Sequence, residues 1–120
     1  MVFRFEELEI WGLAIEYGNN VYKITENYPR SELFGLTSQT RRAAISISNN
    51  IAEGSGATTT KDFKCFLDRA IKSALEVISC LFFAQKREYI SEENFRHLYR
   101  DGEIIIKKTR AFKKSLDRKR

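Results

Sequence analysis

The segment Phe95-Arg96-His97-Leu98-Tyr99-Arg100-Asp101-Gly102-Glu103-Ile104-Ile105-Ile106-Lys107-Lys108-Thr109-Arg110-Ala111-Phe112-Lys113-Lys114-Ser115-Leu116 decides the fold class. Phe95, Leu98, Gly102, Ile105, Thr109, Phe112 and Leu116 step along it by three and four without a slip, which is the spacing of one face of an α-helix. Three earlier segments repeat the pattern. The first carries Leu8, Trp11, Ile15, Gly18 and Tyr22, with Ile10, Ala14, Val21 and Ile24 widening the stripe. The second carries Thr40, Ala43 or Ala44, Ile47, Ile51 and Gly54, and the third Phe63, Leu67, Ala70, Ala74, Val77, Leu81 and Ala84. A strand needs a period of two, and none of the four has it.

The breaks fall at Asn27-Tyr28-Pro29-Arg30-Ser31, at Gly54-Ser55-Gly56-Ala57-Thr58-Thr59-Thr60 and near Arg87-Glu88-Tyr89-Ile90-Ser91. Proline biases the residue before it away from helix. Thr59, followed by Asp62, and Ser91, followed by Glu92 and Glu93, suit helix N-caps. Gly54 sits where a left-handed residue would end the second helix. The spacing predicts helices over 5–27, 37–53, 60–87 and 92–116, with a compact turn between Pro29 and Gly35. Short links between long neighbours imply an all-α protein, an antiparallel up-down-up-down four-helix bundle, in a single domain spanning 1–120.

Composition removes several classes of function. Of 120 residues, 42% are hydrophobic and 31% charged, enough for one real core and too apolar for a disordered chain. No apolar run approaches the ~18 residues of a membrane span. Met1-Val2-Phe3-Arg4-Phe5-Glu6-Glu7 lacks the basic start and apolar stretch of a signal peptide, so the expected compartment is the cytoplasm. Cys65 and Cys80 lie on one predicted helix about 22 Å apart, too far to bridge. Neither has a Cys or His at metal spacing, and His97, between Glu93 and Asp101, reads as part of a solvated polar face. No Glu-x-x-His pair and no phosphate-binding loop occur. The expectation is therefore a protein that is not an enzyme, with no cofactor, no metal and no small-molecule substrate.

Charge is concentrated at one end. Lys107, Lys108, Arg110, Lys113, Lys114, Arg118, Lys119 and Arg120 fall in the stretch 107–120, offset there only by Asp117. Acidic residues outnumber basic ones in the rest of the chain. Such an end attracts polyanions and loses them as salt rises. A second cluster lies in Gln39-Thr40-Arg41-Arg42-Ala43-Ala44-Ile45-Ser46-Ile47-Ser48-Asn49-Asn50-Ile51-Ala52-Glu53-Gly54, where helical spacing aligns Arg42, Ser46, Asn49 and Glu53. Arg42 and Glu53 are too far apart to pair within one helix, so each needs a partner elsewhere. On the third segment, Ser73 and Glu76 interrupt an apolar surface of Phe66, Ile71, Leu75, Ile78, Phe82 and Phe83 that is wider than one bundle seam requires. Oligomerisation through this helix follows as an expectation.

Phe5-Glu6-Glu7-Leu8-Glu9-Ile10-Trp11, Tyr28-Pro29-x-x-Glu32-x-Phe34-Gly35-Leu36, Gln39-x-Arg41-Arg42-Ala43-Ala44-x-Ser46-Ile47 and Asn50-Ile51-Ala52-Glu53-Gly54 resemble, in order, the four-helix bundle family encoded in intervening sequences of bacterial 23S ribosomal RNA genes, often grouped with ribosomal proteins. The accessory variability determinant of diversity-generating retroelements is a relative. The resemblance runs from about Phe3 to Ile106. It implies an antiparallel bundle assembled as a homopentamer, no enzymatic activity, and binding of RNA or a nucleoprotein partner. By position, Arg41, Arg42, Ser46, Asn50 and Glu53 match the family's block; Ser46, Asn50, Glu53, Gly54, Ser73 and Glu76 are the motif and interface candidates. The chain departs from the family after Gly54, where Ala57-Thr58-Thr59-Thr60 replaces Arg-rich residues, and at Lys72-Ser73, where the family has Gly-Ser. The nucleic-acid candidates are therefore Arg41, Arg42 and the eight basic residues of 107–120. The alternative is a structural adaptor for a protein partner such as a reverse transcriptase, without direct contact to nucleic acid.

Overall fold

The computed structural model describes residues 2–118, the side chain of Arg118 excepted. Its helices are α1 (Glu9–Thr25), α2 (Ser38–Ser55), α3 (Thr60–Lys86) and α4 (Glu92–Ser115). Single turns at Arg4–Glu7, Arg30–Glu32, Leu33–Thr37 and Leu116–Arg118 complete the described chain, which contains no strand. The 27 residues of α3 span about 40 Å at 1.5 Å per residue, most of the 49 Å long axis of a 49 × 22 × 22 Å rod.

Side-chain pairings give the helix directions. The end of α1 meets the start of α2, where Arg41 reaches Tyr22 and Thr25. Along α2 and α3, Gln39 meets Glu76, Ser46 meets Ser73, and Gly54 meets Phe63 and Phe66. Asp68 with Lys113 and Phe82 with Phe95 tie opposite ends of α3 and α4 together. Glu9 with Lys108 and Tyr17 with Leu98 close α4 onto α1. Each helix runs opposite to both neighbours. The predicted caps at two starts are present, with Thr59 Oγ1 accepting from the Asp62 N–H and Ser91 Oγ from the Asn94 N–H, both at 3.1 Å.

Three expectations need correction. First, α1 begins at Glu9 rather than residue 5, because Leu8 is extended (φ −88°, ψ 124°) and turns the preceding residues back. Phe5 then packs on Trp11, ring centroids 4.9 Å apart, and Phe3 stacks on Phe5. Second, Ile15 and Tyr22 are exposed, while Ile10, Ala14, Tyr17 and Val21 form the buried face of α1. Two apolar stripes lie side by side on this helix, and the inward one includes a tyrosine. Third, Gly54 does not end α2 in a left-handed conformation; the helix continues to Ser55, and no described glycine has positive φ. Gly54 lets two helices touch instead. A Cβ there would lie 2.7 Å from Phe66 Cβ and 2.9 Å from Phe63 Cδ1.

Candidate nucleic-acid interface

Two cations of the basic end are paired with residues distant in sequence. Lys108 Nζ lies 3.1 Å from Glu9 Oε2 on α1 and Lys113 Nζ 2.8 Å from Asp68 Oδ1 on α3, whereas Lys64 pairs with Asp117, the one acid of that end. Lys107 sits 3.6 Å from Glu103 one turn back on α4. Pairs this exposed contribute under about 1 kcal/mol each to stability, so their main effect is on the local field. Arg110 and Lys114 on α4, with Lys72 on α3, make no ion pair among the described residues. All three line one open groove between α3 and α4, floored by Ile71 and Leu75 and also bordered by Asp68, Lys113 and Asp117. The Arg118 side chain, Lys119 and Arg120 lie outside the described residues.

Arg41 and Arg42 are adjacent in sequence and have opposite surroundings. Arg41 folds back over the end of α1, its guanidinium 4.5 Å from the Tyr22 ring centroid. Its Nε donates to Thr25 Oγ1 (2.8 Å) and its Nη2 to the Tyr22 carbonyl (3.3 Å). It thereby joins the Glu26 N–H and the Thr25 hydroxyl on a carbonyl in the last turn of α1, where the dipole favours a cation. Arg42 is exposed and turns into an open cleft between α2 and α3, shared with Phe34, Ser38, Gln39, Ser46 and Glu76. Behind it, Ser46 Oγ accepts from Ser73 Oγ (2.9 Å) and from Asn50 Nδ2 (3.0 Å). The fold thus brings Arg42, Ser46, Asn50, Ser73 and Glu76 to one seam. It leaves Glu53 exposed about three turns from Arg42, at roughly 16 Å. Phe34, 93% exposed at the rim of the cleft, has no helical period to announce it.

The outer face of α3 is apolar and open: Leu75 is 49%, Phe82 50% and Phe83 65% exposed. Phe82 packs edge-on against Phe95, centroids 5.1 Å apart, and Tyr99 extends the patch. Cys65 is exposed and Cys80 buried. Burial pushes the Cys80 thiol up from its ordinary value, partly opposed by a hydrogen bond with Thr40. His97 is exposed, with Nε2 3.2 Å from Asp101 Oδ2. Among the described residues no three His, Cys, Asp or Glu side chains gather at a metal-binding distance, and no helix is long and apolar enough to cross a membrane.

No curated protein matches this chain. The crystal structure of a protein of unknown function from the S23 ribosomal protein family of Bacteroides thetaiotaomicron is similar to it, with a TM-score of 0.78 and 27% identity, over 88% of this chain and 98% of that one. Helices α1 to α3, most of α4 and the seam that gathers Arg42, Ser46 and Asn50 lie within residues 6–111, which match the model of the 23S rRNA-intervening sequence proteins, and the chain belongs to that family.

Proposed function

We propose that this is a cytoplasmic, non-enzymatic, oligomeric protein that binds structured RNA through its phosphates. The observation that carries the reading is the convergence of Arg110 and Lys114 from α4 with Lys72 from α3 on one groove, none of the three in an ion pair among the described residues. Phosphate contacts need positive charge at the surface and little shape, and each releases counterions, so affinity falls steeply with salt. One such groove per chain is weak. The exposed Phe82 and Phe83 supply a surface for assembly of several copies, the pentamer implied by the family resemblance. Repeating the groove around a ring replaces a deep site by avidity.

Filter binding of structured RNA across a salt series tests this. Retention at ~50 mM salt with a steep loss by ~200 mM is expected, and Arg110→Gln with Lys114→Gln should flatten the log–log slope by about two. No retention at the lowest salt overturns it. Light scattering with and without nuclease tests the assembly, for which a particle of several 14.0 kDa chains is expected. The same exposed Phe82 and Phe83 favour a second reading, an adaptor for a protein partner. A defined complex that survives both nuclease and neutralisation of Arg110 and Lys114 would select it.

A further inference from the structure

We infer that the cleft between α2 and α3 is a site for one unpaired base, with guanine preferred. This rests on the nucleic-acid reading above and adds to it a position where sequence is read. Phe34 is the most exposed aromatic side chain described, yet its backbone is tightly held. Glu32 Oε1 accepts from the Leu36 N–H at 3.0 Å, and its other oxygen accepts from the Tyr89 hydroxyl at 3.2 Å. The Ser38 hydroxyl donates to the Gly35 carbonyl at 3.3 Å. Gly35 is required for this clamp, since a Cβ there would meet Glu32 Oε1 at 2.7 Å. Tyr89 is itself placed by the end of α3. Glu88 adopts a left-handed conformation (φ 62°), the Tyr89 N–H donates to the Ala84 carbonyl at 2.8 Å, and the Tyr89 ring packs on Tyr28. A phenyl ring carried on a firmly held turn and left in water is a ready stacking platform, with the ordering cost of its backbone already met by the fold.

The groups around the ring match one base better than the others. Arg42 has no ion-pair partner among the described residues. The Glu76 carboxylate accepts only a long contact from Gln39 Nε2, at 3.4 Å. Unpaired guanine presents two adjacent N–H donors, which one carboxylate accepts side by side. It also presents two acceptors on its other edge, which a guanidinium meets with two donors. Adenine lacks the first pair of donors, and the pyrimidines lack the second pair of acceptors. The occupant argued for is a base rather than an apolar protein surface, because Phe34 is the one large apolar side chain in this cleft. Leu33, the neighbouring exposed apolar residue, lines a different cleft with Thr25 and Arg41. A protein interface core needs a contiguous apolar patch.

Fluorescence anisotropy with uridine-rich RNA strands carrying a single guanosine, or an adenosine in its place, tests the inference. Tenfold or tighter binding of the guanosine strand is expected. Glu76→Gln should abolish that preference, and Phe34→Ala should weaken both strands at least fivefold, with the salt slope unchanged in each. Both side chains are exposed, and circular dichroism confirms folding of the variants. Equal binding of the two strands by the parent protein overturns the base site while leaving phosphate binding intact. Loss of all binding to both strands overturns the nucleic-acid reading as well. A fall in particle mass on Phe34→Ala, read by light scattering, overturns the site in favour of a contact between copies.

Discussion

The α2–α3 seam and the α1–α4 seam lie on different sides of the bundle and close the same kind of antiparallel pair by different means. Between α2 and α3 the helices touch through small side chains. Ala43, Ala44, Ala70 and Ala74 are buried, and Gly54 brings its backbone against Phe63 and Phe66. Between α1 and α4 one large residue spans the gap. Tyr17 is buried and donates its hydroxyl to the Leu98 carbonyl at 3.0 Å, in a hollow left by Gly102. The first seam depends on the absence of atoms and the second on one hydrogen bond reaching across. A seam closed by small side chains and a glycine contact tolerates no added volume, whereas a seam built on a phenol becomes sensitive to alkali.

The largest expected effect comes from adding one methyl group to the close seam. Gly54→Ala gains about 1 kcal/mol of helix propensity but overpacks against Phe66 Cβ and Phe63 at a cost of about 3 kcal/mol, a net loss of about 2 kcal/mol in urea unfolding. Unchanged or raised stability would mean that the helices part easily, and the contrast between seams would fail. On the other seam, a Cβ at Gly102 would lie 2.8 Å from the Tyr17 hydroxyl and 3.1 Å from Ile78 Cδ1. Gly102→Ala should cost about 1 kcal/mol, and less in a Tyr17→Phe background, where the crowded oxygen is gone; additive losses in a double-mutant cycle would refute the coupling.

Alkaline titration probes the α1–α4 seam. Burial, assisted by the negative charge of Asp101, lifts the Tyr17 phenol far above its ordinary value, and burial pushes Tyr28 up to about 12. Unfolded tyrosines ionise near ~10. Above that pH the unfolded chain releases protons that the folded chain retains, so stability falls from pH ~10 toward ~12 and beyond. Tyr17→Phe should flatten this decline in urea midpoints measured across the range, while Tyr28 contributes to both proteins alike. The smallest effects belong to the surface pairs. Lys108→Ala and Lys113→Ala, which unpair Glu9 and Asp68, should each cost under about 1 kcal/mol at low salt and close to nothing at ~1 M salt.

What sequence reading reached, and where it stopped, follows from the range of each interaction. The helices and their N-caps at Thr59 and Ser91 were legible because helix periodicity and capping act within four residues. The choice between the two stripes of α1 was not. Leu8, Trp11 and Ile15 keep helical spacing as well as Ile10, Ala14, Tyr17 and Val21 do, and the inward stripe is selected by Leu98 and Gly102, more than 80 positions away. The basic end was legible as composition. Its partial neutralisation was not, since Glu9 and Asp68 come from positions 99 and 45 residues distant from their lysines. Arg41 and Arg42 read alike in sequence and differ in the fold, because successive residues on a helix point about 100° apart and only one of them faces the end of α1.

The sequence by itself determined the number of helices, their approximate limits, their antiparallel order and the total charge at the C-terminal end, all of which follow from local spacing and short connections. Only the tertiary structure decided which cations stay unpaired, that Gly54 is a point of contact rather than a helix stop, and that Phe34 stands beside Arg42 and Glu76 on a fixed turn. The reason is physical. Local propensity acts on near neighbours along the chain, while pairing of charges and close packing depend on atoms that become neighbours only after the helices have assembled.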